Sequence, residues 1–358
     1  MIKKGADYIY KTIAIIPVSS SEPVELVKKS IESMERVKKY SDYTKRIDLR
    51  IIYVIDDEIS SNKNVYFEGI SNEKKDRCIE FIFRIPTPGK KAAALNDAIE
   101  EIYRKNEKPD FFAFFDVDSR PKEDFIDRCL DIFESDFNDD LVMVSGPRYI
   151  ITEKSLIQTL VGVEYLLIND LYRFSDFFDS YKHFNGLIGL VRGDLFDRIG
   201  FFDESKVCED LDIGERIHTR SLRVRYTDDA IVGEQAPLTI TDFYKQRIRW
   251  MIGHFEGIRA HFIDFIHIKN KSVKISWFLF VILPFIMILL QPLFLICYGR
   301  VVQDSIENNG LKKGMRGLPE KFVALMIYPS LMEFSCIHAI FKYIKNDKKW
   351  EHLERELV

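Results

Sequence analysis

Three short clusters in this chain combine residue types that could do chemistry. The pentad Gln246-Arg247-Ile248-Arg249-Trp250 packs two cations, an amide and an indole into little more than one helical turn. Gln246, Arg249 and Trp250 stand at i, i+3 and i+4, so a helix puts them on one face. That face offers charge for a diphosphate and a flat apolar surface for a sugar ring or a base. The competing explanation is an interfacial helix whose Trp and Arg anchor at a membrane surface. The second cluster is Asp116-Val117-Asp118, directly after the apolar run FFAFF. If that run continues as an extended segment, alternate residues point the same way and both carboxylates face one ion. Oxygen ligands suit Mg²⁺ or Mn²⁺, which in turn bind substrate phosphates. The third is Cys208-Glu209-Asp210-Leu211-Asp212, which places three acids ahead of a helical pattern and comes after Phe184-Asn185-Gly186-Leu187-Ile188-Gly189. Helix capping explains the acids as well as a general base does, and the residues alone leave both open.

The elements that must position these clusters read as α/β. Short apolar strands are expected at Thr12–Val18, Leu49–Ile55, Phe81–Ile85 and Phe111–Phe115, with helices at Glu22–Val37 and Ala92–Tyr103 between them. Strand and helix in alternation imply a mostly parallel sheet covered on both faces. Ligands of such sheets sit outside the carboxyl ends of the strands. Pro17, Asp56-Asp57 and the Asp116/Asp118 pair all fall at such ends. An Asp at the end of the second strand could accept hydrogen bonds from a base or ribose, or simply close an Asx turn. Gly89-Lys90-Lys91 opens a helix whose N-terminus suits an anion, although solvated lysines explain it equally. No glycine-rich loop comes after the first strand, which excludes a dinucleotide or P-loop site.

Composition narrows the class further. The 358 residues carry 52 Lys and Arg against 56 Asp and Glu, a net charge of −4, so nucleic acid is not the expected partner. The five cysteines show no metal-ligand spacing and read as free thiols. Met1 to Tyr10 is charged and predicts no cleavable signal peptide. Residues 275–298 hold no charged side chain and predict a transmembrane helix, kinked at Pro284 and Pro292. Residues 320–344 form a second apolar stretch containing Glu333 and His338, either a span or an amphipathic interfacial helix. The expected organisation is a catalytic domain over 1–258, an interfacial linker over 259–274, the span at 275–298, a loop over 299–319, the second apolar segment at 320–344 and a charged tail over 345–358. Lysines at 269, 271 and 274 and at 342, 345, 348 and 349 favour cytoplasmic flanks, and those at 312 and 313 in the connecting loop oppose them.

The segments IIPVSSSEPVE, VIDDE, GKKAAALNDAI, FFDVDSRP, FNGLIGLVRGDLFDRIGFFDE, CEDLDIGERI, EQAP and QRIRW occur in that order over about the first 255 residues. In this the chain resembles glycosyltransferase family 2, the inverting, nucleotide-sugar-dependent type, and within it the membrane-bound branch of cellulose and hyaluronan synthases. The resemblance implies an A-type glycosyltransferase fold, a Rossmann-like sheet with helices on both faces, then C-terminal membrane helices. It also implies roles. Pro17, Asp56, Asp57 and Lys91 match residues lining the nucleotide pocket. Asp116 and Asp118 match the pair that holds Mg²⁺ or Mn²⁺ and the diphosphate. Asp210 matches the general base, with Glu209 its neighbour, and Asn185 and Gly186 match a loop near the acceptor. Arg249 resembles the diphosphate-contacting arginine, Trp250 the platform under the acceptor sugar and Gln246 their polar partner. The implied activity is transfer of a hexose from a UDP-linked donor, with GDP-mannose open, to a glycan or lipid-linked acceptor at the cytoplasmic face of the cell membrane. Ser19 and Ser20 stand where many relatives carry Tyr-Asn, and Cys208 where the cellulose-type motif has Thr, so base and sugar stay open. Two apolar segments do not predict a polymer channel within one chain, which leaves single addition, elongation at the membrane face and a homo-oligomer as alternatives. A non-catalytic nucleotide-sugar or glycan-binding module and a metal-dependent nucleotidyltransferase are the competing classes.

Overall fold

A computed structural model describes residues 8–57, 66–67, 69, 79–87, 90–136, 138–183, 186, 188–287 and 289–345. These divide into two compact units, one over 8–147 and 182–233, the other over 148–181 and 234–345.

The first unit is built on β1 (Tyr10–Val18), β2 (Ile47–Asp56), β3 (Ile79–Arg84), β4 (Phe111–Phe114), β6 (Leu141–Ser145), β8 (Gly189–Arg192) and β9 (Arg223–Tyr226), with the short β5 (Arg120–Pro121) beside them in sequence. The seven-stranded sheet runs β3-β2-β1-β4-β8-β6-β9. Its first four strands are parallel, and β8 lies antiparallel between β4 and β6. Alternate residues feed two separate cores. Ala14, Ile16, Leu49, Tyr53, Phe111 and Ala113 pack with α1 (Val24–Thr44) and α3 (Phe125–Ser135). Ile13, Ile15, Ile52, Val54, Phe112 and Phe114 pack with α2 (Lys90–Arg104), α5 (Leu195–Ile199) and α6 (Glu209–Thr219). Period-two side chains on a doubly covered sheet explain why these strands read as nearly unbroken apolar runs. Register aligns the strand ends: Val18 pairs with Ile55, and Ile15 with Phe114. The carboxyl ends of β1, β2 and β4 therefore share one edge.

The second unit is helical apart from β7 (Arg148–Ile150) and the end of β10 (Val232–Glu234). It contains α4 (Leu156–Phe177), α7 (Ile240–His267), α8 (Lys271–Ile286), α9 (Gln291–Arg316) and α10 (Leu318–Ile344). Ser155 starts α4 with a capping box, its hydroxyl accepting from the Gln158 N–H at 3.2 Å. Phe265 stacks flat on Trp277, with ring centroids 4.1 Å apart, and binds α7 to α8.

The apolar run 275–298 does not form one helix. It is divided between α8 and α9, with turn geometry at Met287, Leu289 and Leu290. Proline at 292 has no N–H to give a continuing helix and stands in the first turn of α9, where none is needed. The 16 residues of α8 rise about 24 Å, short of the roughly 30 Å hydrocarbon layer. Among the described residues, the helix long and apolar enough to cross a membrane is α10, with 27 residues.

Candidate active site

In the first unit the strand ends deliver the acids. Pro17 pairs with Val54 near the end of β1, and Asp56 closes β2. Asp116 and Asp118 come after β4, but not as an extended segment: the strand stops at Phe114 and residues 117–118 form a turn. The Ser119 N–H donates to the Asp116 carbonyl at 3.0 Å and closes that turn. Arg120 donates from Nη1 to the carbonyls of Val117 at 3.0 Å and Ser119 at 2.9 Å, which clamps it. The alternate-face argument for the two carboxylates therefore gives way to a clamped turn, with Asp116 partly exposed and Asp118 buried.

Lys91, in the first turn of α2, ties two clusters together. Its ammonium lies 2.5 Å from Asp116 Oδ1 and 3.6 Å from Glu209 Oε1. Burial disfavours the charged lysine, but Asp116, Glu209 and Asp210 outweigh it and hold its pKa above the ordinary value. The lysine stays cationic among three carboxylates. Gly89 and the side chain of Lys90 lie outside the described residues.

Asp210 sits in the first turn of α6, where Cys208 at the N-cap makes no side-chain cap. Its Oδ1 accepts from the Leu211 N–H at 2.9 Å, and its Oδ2 accepts from the Gly186 N–H at 2.8 Å. Gly186 has φ of 68°, the left-handed region that glycine enters without a Cβ penalty. The loop glycine thus holds the carboxylate in a fixed orientation from outside its own helix. Asn185 lies outside the described residues.

Asp56 is engaged by a residue that no sequence motif singles out. Arg84, at the end of β3, donates to Asp56 Oδ1 at 2.8 Å, to Asp97 at 2.7 Å and to Thr87 Oγ1 at 2.9 Å. Burial pushes the Asp56 carboxyl up from its ordinary pKa, against the pull of Arg84. Asp57 is next, its N–H donating to the Arg84 carbonyl at 3.1 Å. Asn96, within GKKAAALNDAI, is another such residue. Its amide accepts from the Phe202 N–H at 3.0 Å and donates to the Phe202 carbonyl at 2.9 Å, joining α2 to the Phe201–Glu204 loop. A buried amide inside an otherwise apolar helix face was the available signal.

In the second unit, α7 carries the pentad, with Gln246, Arg249 and Trp250 partly exposed and Arg247 fully buried. Arg247 donates to Glu164 of α4, and Glu164 also accepts from the Tyr328 hydroxyl of α10 at 2.7 Å. Arg148 and Glu234 form a second buried pair, 2.9 Å apart, with the Tyr165 hydroxyl donating to Glu234 at 3.0 Å.

Among the described residues no three His, Cys, Asp or Glu side chains form a group able to hold a metal ion. Asp116 and Asp118 nonetheless suit Mg²⁺ or Mn²⁺, because such ions take one or two carboxylates and complete their shell with substrate phosphates and water. The clamped turn supplies that short oxygen set, and cationic Lys91 beside it fits an anionic substrate.

The family model for glycosyl transferase family group 2 matches residues 111–335, more than half of the chain. Glucomannan 4-beta-mannosyltransferase 7 of Arabidopsis thaliana is 26% identical over 234 residues, covering 64% of this chain and 41% of that protein. Poly-beta-1,6-N-acetyl-D-glucosamine synthase of Staphylococcus epidermidis is 25% identical over 228 residues, covering 63% of this chain and 53% of that protein. The chain thus spans about half the length of these relatives. A solved structure of the mannosyltransferase PcManGT from Pyrobaculum calidifontis, in complex with GDP-Man and Mn²⁺, superposes with a TM-score of 0.63 at 14% identity, covering 95% of this chain and 88% of that one. The likeness bears out the A-type glycosyltransferase fold, with one apolar C-terminal helix, α10, as the candidate anchor. Ordered motifs, a doubly covered sheet with its acids at the strand ends, and the family match converge: the chain belongs to glycosyl transferase family group 2.

Proposed function

We propose that this protein is a membrane-anchored, inverting glycosyltransferase. It moves a hexosyl unit from a UDP- or GDP-linked donor to a hydroxyl of a glycan or lipid-linked acceptor, with formation of a β-glycosidic bond. The observation that carries the reading is the Asp210 carboxylate, held by the N–H groups of Gly186 and Leu211 in the first unit's acidic cluster. A general base needs a fixed direction toward the proton it removes.

Asp210 takes the proton of the acceptor hydroxyl. The acceptor oxygen forms a bond to the anomeric carbon from the face opposite the diphosphate. The bond to the diphosphate oxygen breaks, and the nucleoside diphosphate leaves with the electron pair. Pro17, Asp56 and Asp57 line the nucleotide pocket, and Lys91 adds positive charge on the diphosphate side. Asp116 and Asp118 would hold Mg²⁺ or Mn²⁺, and the ion would supply positive charge to the leaving diphosphate. Arg249 contacts the diphosphate, Trp250 and Gln246 receive the acceptor, and Asn185 with Gly186 forms the acceptor loop. The names of the mannosyl and N-acetylglucosaminyl relatives support a hexose-type donor, and the neighbour's GDP-Man and Mn²⁺ support the cation. The α10 helix supports anchoring at the cell membrane, and the proposal puts the catalytic residues on the cytoplasmic side.

A panel of UDP- and GDP-sugars with Mg²⁺ or Mn²⁺, read by released nucleoside diphosphate, tests the donor. Product size separates single addition from a ladder. Retention of the anomeric configuration in the product NMR spectrum would sink the inverting mechanism.

A further inference from the structure

Arg247 has no role in the transfer scheme, yet it is the most buried residue of the pentad, with 0% of its surface exposed. Its guanidinium carbon lies 4.0 Å from the ring centroid of Trp250 and 4.3 Å from that of Phe243. Its Nη1 donates to Gln246 Oε1 at 2.5 Å. Its Nη2 donates to Glu164, buried on α4, whose other oxygen accepts from Tyr328 of α10. One planar cation therefore touches two of the residues assigned to the acceptor, and a carboxylate fixed from a third helix holds that cation.

We infer that Arg247 is a positioning residue for the acceptor platform: held by Glu164 and Tyr328, it sets the plane of the Trp250 indole and the direction of the Gln246 amide. The inference rests on the proposed role of Trp250. Folding alone does not require the pair, because apolar side chains of similar volume replace buried ion pairs at little cost. Lysine cannot substitute, because it lacks the plane that stacks on a ring and the fork that serves two acceptors at once. Tyr328 extends the contact to α10, the candidate membrane helix, so the set of that helix bears on the indole through Glu164.

The test uses the full chain in detergent, labelled with 5-fluorotryptophan, with the Trp250 resonance assigned by Trp250→Phe. The acceptor probe is mannotetraose or chitotetraose, whichever the wild type elongates. The key variant is the double substitution Arg247→Met with Glu164→Leu, which removes both charges together; the Tyr328 hydroxyl loses its acceptor, a smaller cost than an unpaired buried charge. It is expected to unfold close to the wild-type temperature. Its acceptor KM should rise about thirtyfold, the worth of a desolvated cation–ring contact, while its donor KM changes by less than about twofold, and the Trp250 resonance should move. Arg247→Lys carries the same readouts if the double variant does not fold, and Tyr328→Phe should move the resonance in the same direction by less. A folded variant with wild-type acceptor KM, or with an unmoved Trp250 resonance, overturns the inference. A wild type that consumes no nucleotide sugar defeats the proposed function, and the fluorine resonance then decides the positioning claim by itself.

Discussion

The two units handle charge in opposite ways. In the sheet unit Lys91, Asp116 and Asp210 stand partly open at strand and helix ends. Lys91 and Asp116 expose 29% and 31% of their side chains, and Asp210 is held by backbone N–H groups. In the helical unit the charges are sealed: Arg247 with Glu164, and Arg148 with Glu234, all below one tenth exposed. The open set can exchange its partners for a ligand without unfolding anything. The sealed set cannot, since a buried charge that loses its partner keeps its desolvation cost. The open set therefore suits exchange with a charged ligand, and the sealed set suits holding residues still.

The largest expected effect attacks the open set. Asp210→Asn keeps the shape and one of the two hydrogen bonds from Gly186 and Leu211, because only its amide oxygen accepts, and it loses the base. We expect nucleoside diphosphate release with acceptor to fall about 100- to 10,000-fold, at an unfolding temperature close to that of the wild type. Near-normal turnover would remove Asp210 from the mechanism.

A change of similar size in the sealed set should appear as stability. Arg148→Met leaves Glu234 buried with the Tyr165 hydroxyl for company. We expect a loss of about 3–5 kcal/mol, measured by denaturant unfolding. The matching change in the open set, Lys91→Met, should cost less, because Lys91 and Asp116 each keep nearly a third of the side chain exposed, while the donor KM rises. Equal stability losses in the two variants would erase the distinction between the units.

The strands and the acids at their ends were legible because a doubly covered parallel sheet writes itself as apolar runs, and the residues just past each run gather at one edge. The clamped turn at Asp116–Asp118 was not legible, since Arg120 closes it through backbone carbonyls that no side-chain pattern records. Arg84 and Asp56 are 28 residues apart and Arg247 and Glu164 are 83 apart, so only the folded chain introduces them. The break between α8 and α9 was marked by Pro292, but uniform apolarity made a bent span look as natural as two helices. The roles of the site residues come from the resemblance, and the active-site variants test them.

Each unit also buries a histidine. His218 in the sheet unit shares its Nε2 with the Lys182 backbone, and burial lowers its pKa to about 3. His254 in α7 lies against Phe280, and burial lowers its pKa to about 4. Both folded values lie below the unfolded 6.5, so the unfolded chain binds the extra protons. Stability is complete above pH 6.5 and falls with acidity until about pH 3 for His218 and pH 4 for His254. Each histidine should contribute a slope of about 1.4 kcal/mol per pH unit. His254→Leu should flatten the acid limb by about one proton; an unchanged slope would show that the ring is not buried neutral.

The smallest effect separates local from long-range support on α4. Ser155→Ala removes the hydroxyl that accepts from the Gln158 N–H, and a lost cap costs about 1 kcal/mol. Gln158 Oε1 still accepts from the N–H groups of Lys154 at 2.8 Å and Ser155 at 3.1 Å, which keeps the loss near the low end. Glu164 lies nine residues beyond the cap, about two and a half turns into the helix. Fraying confined to the first turn does not reach it, so Ser155→Ala should lower the unfolding temperature by a few degrees and leave the acceptor KM alone. A raised acceptor KM would mean that α4 transmits end fraying to Glu164, and that the sealed pair owes its hold to the whole helix rather than to its own burial.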